Sequence, residues 1–212
     1  MTPSTVHDFR ECLQYSQDLS DEAAWVDFYR RLWPQAQYIL RCDDSGPWQR
    51  WGIDRRITLA GRDVMIDEKK RKGEYSDVLL EEWSVHYGDG DRRNKIGWAL
   101  DDTKRCDFVA YAIPALKICY LLPFELTRLA YTTHRAEWHR HTDKNGKADW
   151  YPKVAQNRGY NTINCAVPWA ILKAAIMEQM HRRYGAEAEL PLPIRGANDQ
   201  LIFQYGSTEA TA

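Results

Sequence analysis

The chain has 212 residues, with 29 Lys and Arg against 30 Asp and Glu, so its formal net charge is −1. That balance argues against a wholesale polyanion binder, although it leaves room for a local basic face. No apolar run approaches the roughly 18 residues that a membrane span needs, and the N-terminus lacks the layout of a signal peptide. We therefore expect no membrane partner and a cytoplasmic location.

The first predicted elements are a helix and a hairpin. Apolar residues at near-helical spacing predict a helix over 23–33, which Pro34 ends or bends. A strand over 51–59, a tight connection at 60–63 and a returning strand over 64–70 predict a β-hairpin. This hairpin is the centre of the functional argument.

The later elements alternate between short strands and two longer helices. The pattern predicts strands at 77–85, 98–100, 108–113, 118–122 and 162–167, with helices from Pro123 to Trp138 and over 168–183. This order favours an α/β or α+β fold, in which a mixed central β-sheet with a hairpin core is flanked by helices. We expect one domain over 1–190, with a core at about 20–125 and helical and basic-loop additions at 123–185. Residues 187–212 are expected to form an extended tail.

The hairpin carries two aspartates and a lysine at a suggestive spacing. Asp67 follows Asp54 by 13 residues, with the turn between them, and Lys69 comes two residues after Asp67. Side chains alternate between the faces of a strand, so Asp67 and Lys69 share a face, and Asp54 can lie beside Asp67 if the strands pair. Two carboxylates in one small site repel each other unless a cation lies between them, and Mg²⁺ accepts such ligands. Mn²⁺ could substitute for it.

This arrangement resembles the PD-(D/E)XK nuclease superfamily, whose motif is an acidic residue followed on the next strand by (Asp/Glu)-x-Lys. The resemblance implies a restriction-endonuclease-like fold and metal-dependent cleavage of DNA. Asp54 and Asp67 would hold the metal together with the Glu68 backbone carbonyl, and Lys69 would activate water. The flanking sequence looks like phage or prophage members, for which the location would be the host cytoplasm.

Two aspects of this assignment stay open in the sequence. Glu68 and Lys70 also fit the motif, but we prefer Asp67 and Lys69, because the other frame puts the acid on the face shared by apolar residues. Additional carboxylates are predicted from a third strand and from the first helix. These auxiliary candidates are Glu81, Glu82 and Glu22.

Basic residues are predicted to contact the nucleic acid backbone. They come from the run after the hairpin and from a polar loop near the second helix, and they are Lys70, Arg71, Lys72, Arg140, Lys144 and Lys147. Aromatic residues are interleaved with the second group, which suits stacking on bases as well as packing. They are Trp138, Trp150, Tyr151 and Tyr160.

The leading prediction is a Mg²⁺-dependent DNA nuclease. The alternative is a catalytically inactive nuclease-fold protein that acts in DNA binding or protein–protein contacts. RNA stays open as a substrate, because nothing in the sequence reads a 2′-hydroxyl. A homodimer or a larger assembly also stays open.

Overall fold

The computed structural model describes residues 20–42, 46–186, 193–195 and 201–203. Most of the chain beyond 186, predicted as an extended tail, lies outside the described residues. The helices are α1 (Ser20–Leu32), α2 (Pro47–Trp51), α3 (Phe124–Trp138) and α4 (Trp169–Tyr184), with a 3₁₀ turn at Pro114–Leu116. The strands are β1 (Tyr38–Arg41), β2 (Arg55–Leu59), β3 (Arg62–Lys70), β4 (Asp77–His86), β5 (Lys95–Ile96), β6 (Phe108–Ile113), β7 (Ile118–Pro123), β8 (Lys153–Asn157), β9 (Tyr160–Pro168), β10 (Pro193–Arg195) and β11 (Leu201–Phe203).

The described residues form two compact units that interleave along the chain. Of the described residues, the hairpin unit comprises 20–42, 46–75, 105–124, 180–186, 193–195 and 201–203, and the four-stranded unit comprises 76–104 and 125–179. The segment 76–104, which the sequence analysis placed within the core at 20–125, therefore groups with the later helices.

The hairpin unit is built on a mixed sheet. Within the described ranges its order is β1-β2-β3-β6-β7-β11-β10, with β3–β6 and β7–β11 parallel and the other pairs antiparallel. Helix α1 covers one face, where Trp33 lies 6.4 Å from Phe108 between ring centroids. The predicted mixed sheet with helices is confirmed at this coarse level.

The predicted hairpin is present, and its turn explains its register. Strands β2 and β3 are joined by Ala60 and Gly61, which both have positive φ, 48° and 78°. Two such residues form the kind of turn whose twist matches paired strands. Leu59 therefore lies opposite Arg62 at the turn, and Arg55 lies opposite Ile66 at the far end.

The four-stranded unit holds an antiparallel sheet in the order β5-β4-β9-β8. Its interior face carries Val78, Leu80 and Glu82 from β4, all fully buried. Strand β4 was expected to continue the hairpin sheet, but it pairs with β9 and β5 instead. The extended character of 77–86 was predictable from alternation, whereas its partner depends on residues about 80 positions later.

Two further expectations about elements were wrong. The strand expected over 51–59 begins only at Arg55, because Pro47–Trp51 forms a helix that starts at a proline, as helices favour. The strand expected at 98–100 is a turn, and the neighbouring short strand is Lys95–Ile96.

Candidate metal site on the hairpin

The short helix α2 and a glycine place Asp54 at the start of β2. Gly52 ends the helix in the left-handed conformation at φ 64°, which glycine adopts without strain. Ile53 follows as a buried residue whose N–H donates to the Trp48 carbonyl at 2.9 Å. The Asp54 N–H then donates to the Ile66 carbonyl at 2.9 Å, which fixes this residue against β3.

The hairpin register brings Asp54 and Asp67 together. Because Arg55 lies opposite Ile66, the preceding residue Asp54 and the following residue Asp67 share the other face of the sheet. The two carboxyl groups are close enough to interact directly, and the charge of Asp54 raises the pKa of Asp67. The sequence-derived spacing therefore corresponds to a real proximity of the two side chains.

Burial dominates the electrostatics of Asp67, whose side chain is 2% exposed. Desolvation, together with the nearby Asp54, raises the pKa of Asp67 to about 7, against the opposing effect of Lys69. The Lys69 ammonium donates a hydrogen bond to Asp67 Oδ1. The other oxygen, Oδ2, is buried without a hydrogen-bond partner, which is an unusual and costly state for a carboxylate.

Glu68 contributes its backbone to this site. Its N–H donates to Asp54 Oδ2 at 2.7 Å. The N–H and C=O of one residue in a β-strand point to the same side of the strand, so the Glu68 carbonyl is expected on the side of Asp54. This orientation suits the backbone ligand role expected from the family resemblance.

The side chain of Glu68 lies on the opposite face of the sheet, beneath α1. Its Oε1 accepts hydrogen bonds from Arg55 Nε at 2.9 Å and from the Tyr29 hydroxyl at 3.0 Å, and its Oε2 accepts from Arg55 Nη2 at 3.2 Å. If Glu68 and Lys70 formed the motif instead of Asp67 and Lys69, the metal-binding acid would be a carboxylate that Arg55 already binds.

Glu22 forms an ion pair with the same arginine. Its two carboxylate oxygens accept from Arg55 Nη1 at 2.5 Å and Nη2 at 2.9 Å, and Arg41 lies at 3.9 Å. These contacts, chiefly the Arg55 hydrogen bonds, lower the pKa of Glu22. The structure gives Glu22 a bridging role between α1 and β2, rather than the expected role of an added acid beside Asp67.

Glu81 and Glu82 belong to the sheet of the four-stranded unit, so they do not lie on a third strand of the hairpin sheet. Ser84 donates to Glu81 at 2.5 Å. Glu82 is fully buried and accepts from Arg135 at 2.6 and 3.0 Å. The expectation that β4 supplies a carboxylate next to Asp67 in one sheet is therefore corrected.

Sequence reasoning missed the cluster around Glu82. Besides Arg135, the Tyr131 hydroxyl donates to this carboxylate, and His139 Nε2 lies 2.7 Å from it. Burial acts to raise the pKa of Glu82, but the hydrogen bonds from Arg135 and Tyr131 outweigh it and lower the pKa overall. The available signal was the four-residue spacing of Tyr131, Arg135 and His139, of which the first two lie on one face of α3 and His139 directly follows the helix.

The predicted backbone-contacting residues fall into two groups, one in each unit. Lys70 ends β3 in the hairpin unit, and Arg71 and Lys72 follow it. The Arg71 guanidinium lies 4.1 Å from the centroid of the Tyr75 ring. The second group lies in the four-stranded unit and is exposed to solvent. It consists of Arg140, Lys144 and Lys147.

The aromatic residues near the second group are mostly engaged in packing. Trp138 is 2% exposed, so the expectation of base stacking fails for this residue. Trp150 stacks on His141 at 3.7 Å, and Tyr151 stacks on His139 at 3.6 Å between ring centroids. Each of these rings therefore already has one aromatic neighbour against a face. Tyr160 lies 6.2 Å from Tyr87 between ring centroids, in a tilted arrangement.

Comparisons with known proteins add no assignment. No family model matches the chain, and no curated protein and no solved structure resembles it significantly. Across the described ranges, no three His, Cys, Asp or Glu side chains are grouped to hold a metal ion. In the same part of the chain, no helix is long and apolar enough to cross a membrane.

Proposed function

We propose that this chain is a metal-dependent phosphodiesterase that cleaves DNA, with a restriction-endonuclease-like hairpin unit. The observation that carries the proposal is the convergence of Asp54 and Asp67, with the Lys69 amine bound to Asp67. An acidic pair can hold a cation that acidifies a bound water, and an adjacent amine can stabilise the negative charge that develops on a phosphate.

The chemistry of the donor set fits a hard divalent cation. Asp67 Oδ2 is buried without a hydrogen-bond donor, so a cation would satisfy an oxygen that the protein itself leaves unpaired. Mg²⁺ binds in proteins through one or two carboxylates and keeps several waters, so two aspartates suffice. The residues that would hold it are Asp54, Asp67 and the Glu68 carbonyl, and Mn²⁺ would replace it.

Each protein group has a separate task in this proposal. The cation would supply charge neutralisation and a more acidic bound water. Lys69 would orient or activate the attacking water and stabilise negative charge developing on the phosphate. Its side chain is 34% exposed, which leaves the amine accessible from solvent. Lys70, Arg71 and Lys72, which follow it directly, would contact phosphates next to the scissile bond.

The substrate is proposed to be DNA, with RNA as the other nucleic acid to be tested. Arg140, Lys144 and Lys147 would contact the backbone from the four-stranded unit. The setting would be the cytoplasm, or the host cytoplasm for a phage-encoded chain. A homodimer or larger assembly would be compatible with these roles.

The test is cleavage of plasmid DNA and of a matched RNA in Mg²⁺, Mn²⁺ or chelator. We expect cleavage in both metals and none in chelator, with loss of at least about 100-fold in Asp67→Asn and Lys69→Met. The matched controls are Asp63→Asn, an exposed aspartate of the same strand, and Lys173→Met in α4, which should cleave like the parent. Cleavage at the parental rate by both site variants would overturn the assignment.

A second function is favoured by one observation. Within the described ranges, no third His, Cys, Asp or Glu side chain joins Asp54 and Asp67 to form a metal-binding group. A nuclease fold of this kind could bind DNA or another protein without cutting. Binding of labelled DNA, measured by fluorescence anisotropy, without cleavage in either metal would favour this alternative.

A further inference from the structure

Two consecutive residues, Asp54 and Arg55, both bind Glu68. The Asp54 carboxylate accepts the Glu68 N–H at 2.7 Å, and the Arg55 guanidinium donates to the Glu68 carboxylate at 2.9 and 3.2 Å. Strand β2 begins at Arg55, so these contacts lie where the ladder between β2 and β3 ends. They join the residue before β2 and the first residue of β2 to Glu68 of β3, one through its backbone and the other through its side chain.

Helix α1 completes this arrangement from the covered face of the sheet. Glu22 accepts from Arg55 at 2.5 and 2.9 Å, and the Tyr29 hydroxyl donates to Glu68 at 3.0 Å. The side chain of Arg55 is 1% exposed, and all three of its guanidinium nitrogens donate to one carboxylate or the other. The orientation of Glu68 is therefore determined from two sides.

Such a network is a poor way to gain stability. Burying an arginine and a carboxylate incurs a desolvation penalty, and well-packed apolar residues in the same volume are often equally or more stabilising. Burial and hydrogen bonding have opposite effects on the pKa of Arg55, and the hydrogen bonds prevail, which keeps it charged. The network instead fixes one geometry for Glu68, whose N–H binds the Asp54 carboxylate.

We propose that Arg55 is a positioning residue for the metal-binding carboxylate of Asp54, acting through Glu68 from the opposite face of the sheet. Arg55 holds the Glu68 side chain, the Glu68 N–H holds Asp54 Oδ2, and Asp54 is thereby kept against Asp67. The inference rests on the proposed function only in requiring that this acidic pair bind a divalent ion.

Loss of Arg55 should weaken metal binding and leave the maximal rate of cleavage almost unchanged. Without Arg55, the Glu68 backbone and the Asp54 carboxylate gain freedom, so the two aspartates are less often arranged for one cation. Groups that orient metal ligands typically change metal affinity by about 10- to 100-fold when they are lost. Lys69 contacts Asp67 on the other face and is unaffected, so turnover at saturating metal should remain close to that of the parent.

The experiment measures Mn²⁺ binding to the full chain by calorimetry, for the parent and for Arg55→Lys, Arg55→Met and Glu68→Gln. We expect binding to weaken about 10- to 100-fold in both Arg55 variants. Glu68→Gln retains the backbone N–H and one oxygen acceptor for Arg55, so it should lie between them and the parent. Arg41→Met is the matched control, because Arg41 also lies near Glu22, at 3.9 Å, and the proposal gives it no part in the link from Glu68 to Asp54.

DNA cleavage across a Mn²⁺ titration provides the second measurement, with folding checked by circular dichroism. We expect the Mn²⁺ concentration for half-maximal cleavage to rise in Arg55→Lys, and the maximal rate to stay within about threefold of the parent. Parental Mn²⁺ affinity in folded Arg55→Lys and Glu68→Gln would overturn the positioning role alone. A lower maximal rate that saturating metal does not restore would also overturn it. A parent chain that binds no Mn²⁺ would overturn the proposed function and the positioning role together.

Discussion

At the scale of single residues, Asp67 combines a cost in stability with its proposed role. Its folded pKa of about 7 lies above the usual value of about 3.9 for an unfolded aspartate. The folded state therefore favours the protonated carboxyl. The contribution of this group to stability is fully present below about pH 4 and is lost as the pH rises through 7. The loss of stability between pH 4 and pH 8 is at most about 4 kcal/mol.

Because the ionised Asp67 carboxylate is the unfavourable form in the folded state, Asp67→Asn should stabilise the fold more at high pH than at low pH. The amide is uncharged at every pH, so the variant should exceed the parent by up to about 4 kcal/mol at pH 8 and match it closely at pH 4. The free energy of unfolding is measured by urea titration at both pH values, with the exposed Asp63→Asn as the control. A difference between variant and parent that is the same at both pH values would contradict the electrostatic explanation.

At the scale of elements, the hairpin was predictable and the sheet partners were not. The turn at Ala60–Gly61 and the alternation along β2 and β3 are local signals, and together they determine which face Asp54 and Asp67 share. The pairing of β3 with β6, of β4 with β9, and the cover that α1 provides over Glu68 depend on contacts distant in sequence. A local pattern therefore predicts the acidic pair, but it cannot reveal that Arg55 and Tyr29 bind the Glu68 side chain.

The Glu82 carboxylate of β4 binds side chains of α3, so its removal should lower the stability of the fold strongly. Glu82→Ala leaves Arg135 and His139 beside a buried space without the carboxylate that binds them, and it should lower the free energy of unfolding by about 3 kcal/mol. The control is Glu137→Ala, whose side chain is 73% exposed, with an expected change within about 0.5 kcal/mol. Equal stability of the two variants in urea titration would show that the cluster does not hold these elements together.

At the scale of the whole molecule, the near-neutral net charge of −1 conceals a local excess of basic residues. Residues 128–183 contain ten basic residues against four acidic ones. DNA affinity in the proposed function would depend on three of these residues, Arg140, Lys144 and Lys147, and on the basic run at 70–72, since each phosphate contact releases counterions. Overall charge is therefore a poor guide to binding here, and the salt dependence is the informative quantity.

The salt dependence of DNA binding tests whether the four-stranded unit contacts DNA. In the Asp67→Asn background, Lys144→Ala with Lys147→Ala should reduce the slope of log affinity against log salt by about 2, because two phosphate contacts are lost. The pair Arg30→Ala with Arg62→Ala removes the same charge from exposed positions of the hairpin unit and serves as the control. Dissociation constants measured by anisotropy over a salt series decide the point, and identical slopes for both pairs would remove this unit from the proposed interface.

The central claim is that Asp54 and Asp67 hold one divalent ion. Mapping with Fe²⁺ tests it most directly, since hydroxyl radicals produced at a bound Fe²⁺ in ascorbate and peroxide cut the nearby polypeptide. The account predicts cuts around residues 54 and 67–68 that Mg²⁺ suppresses by competition and that Asp67→Asn abolishes. Cuts confined to other segments, or an unchanged pattern in Asp67→Asn, would contradict it.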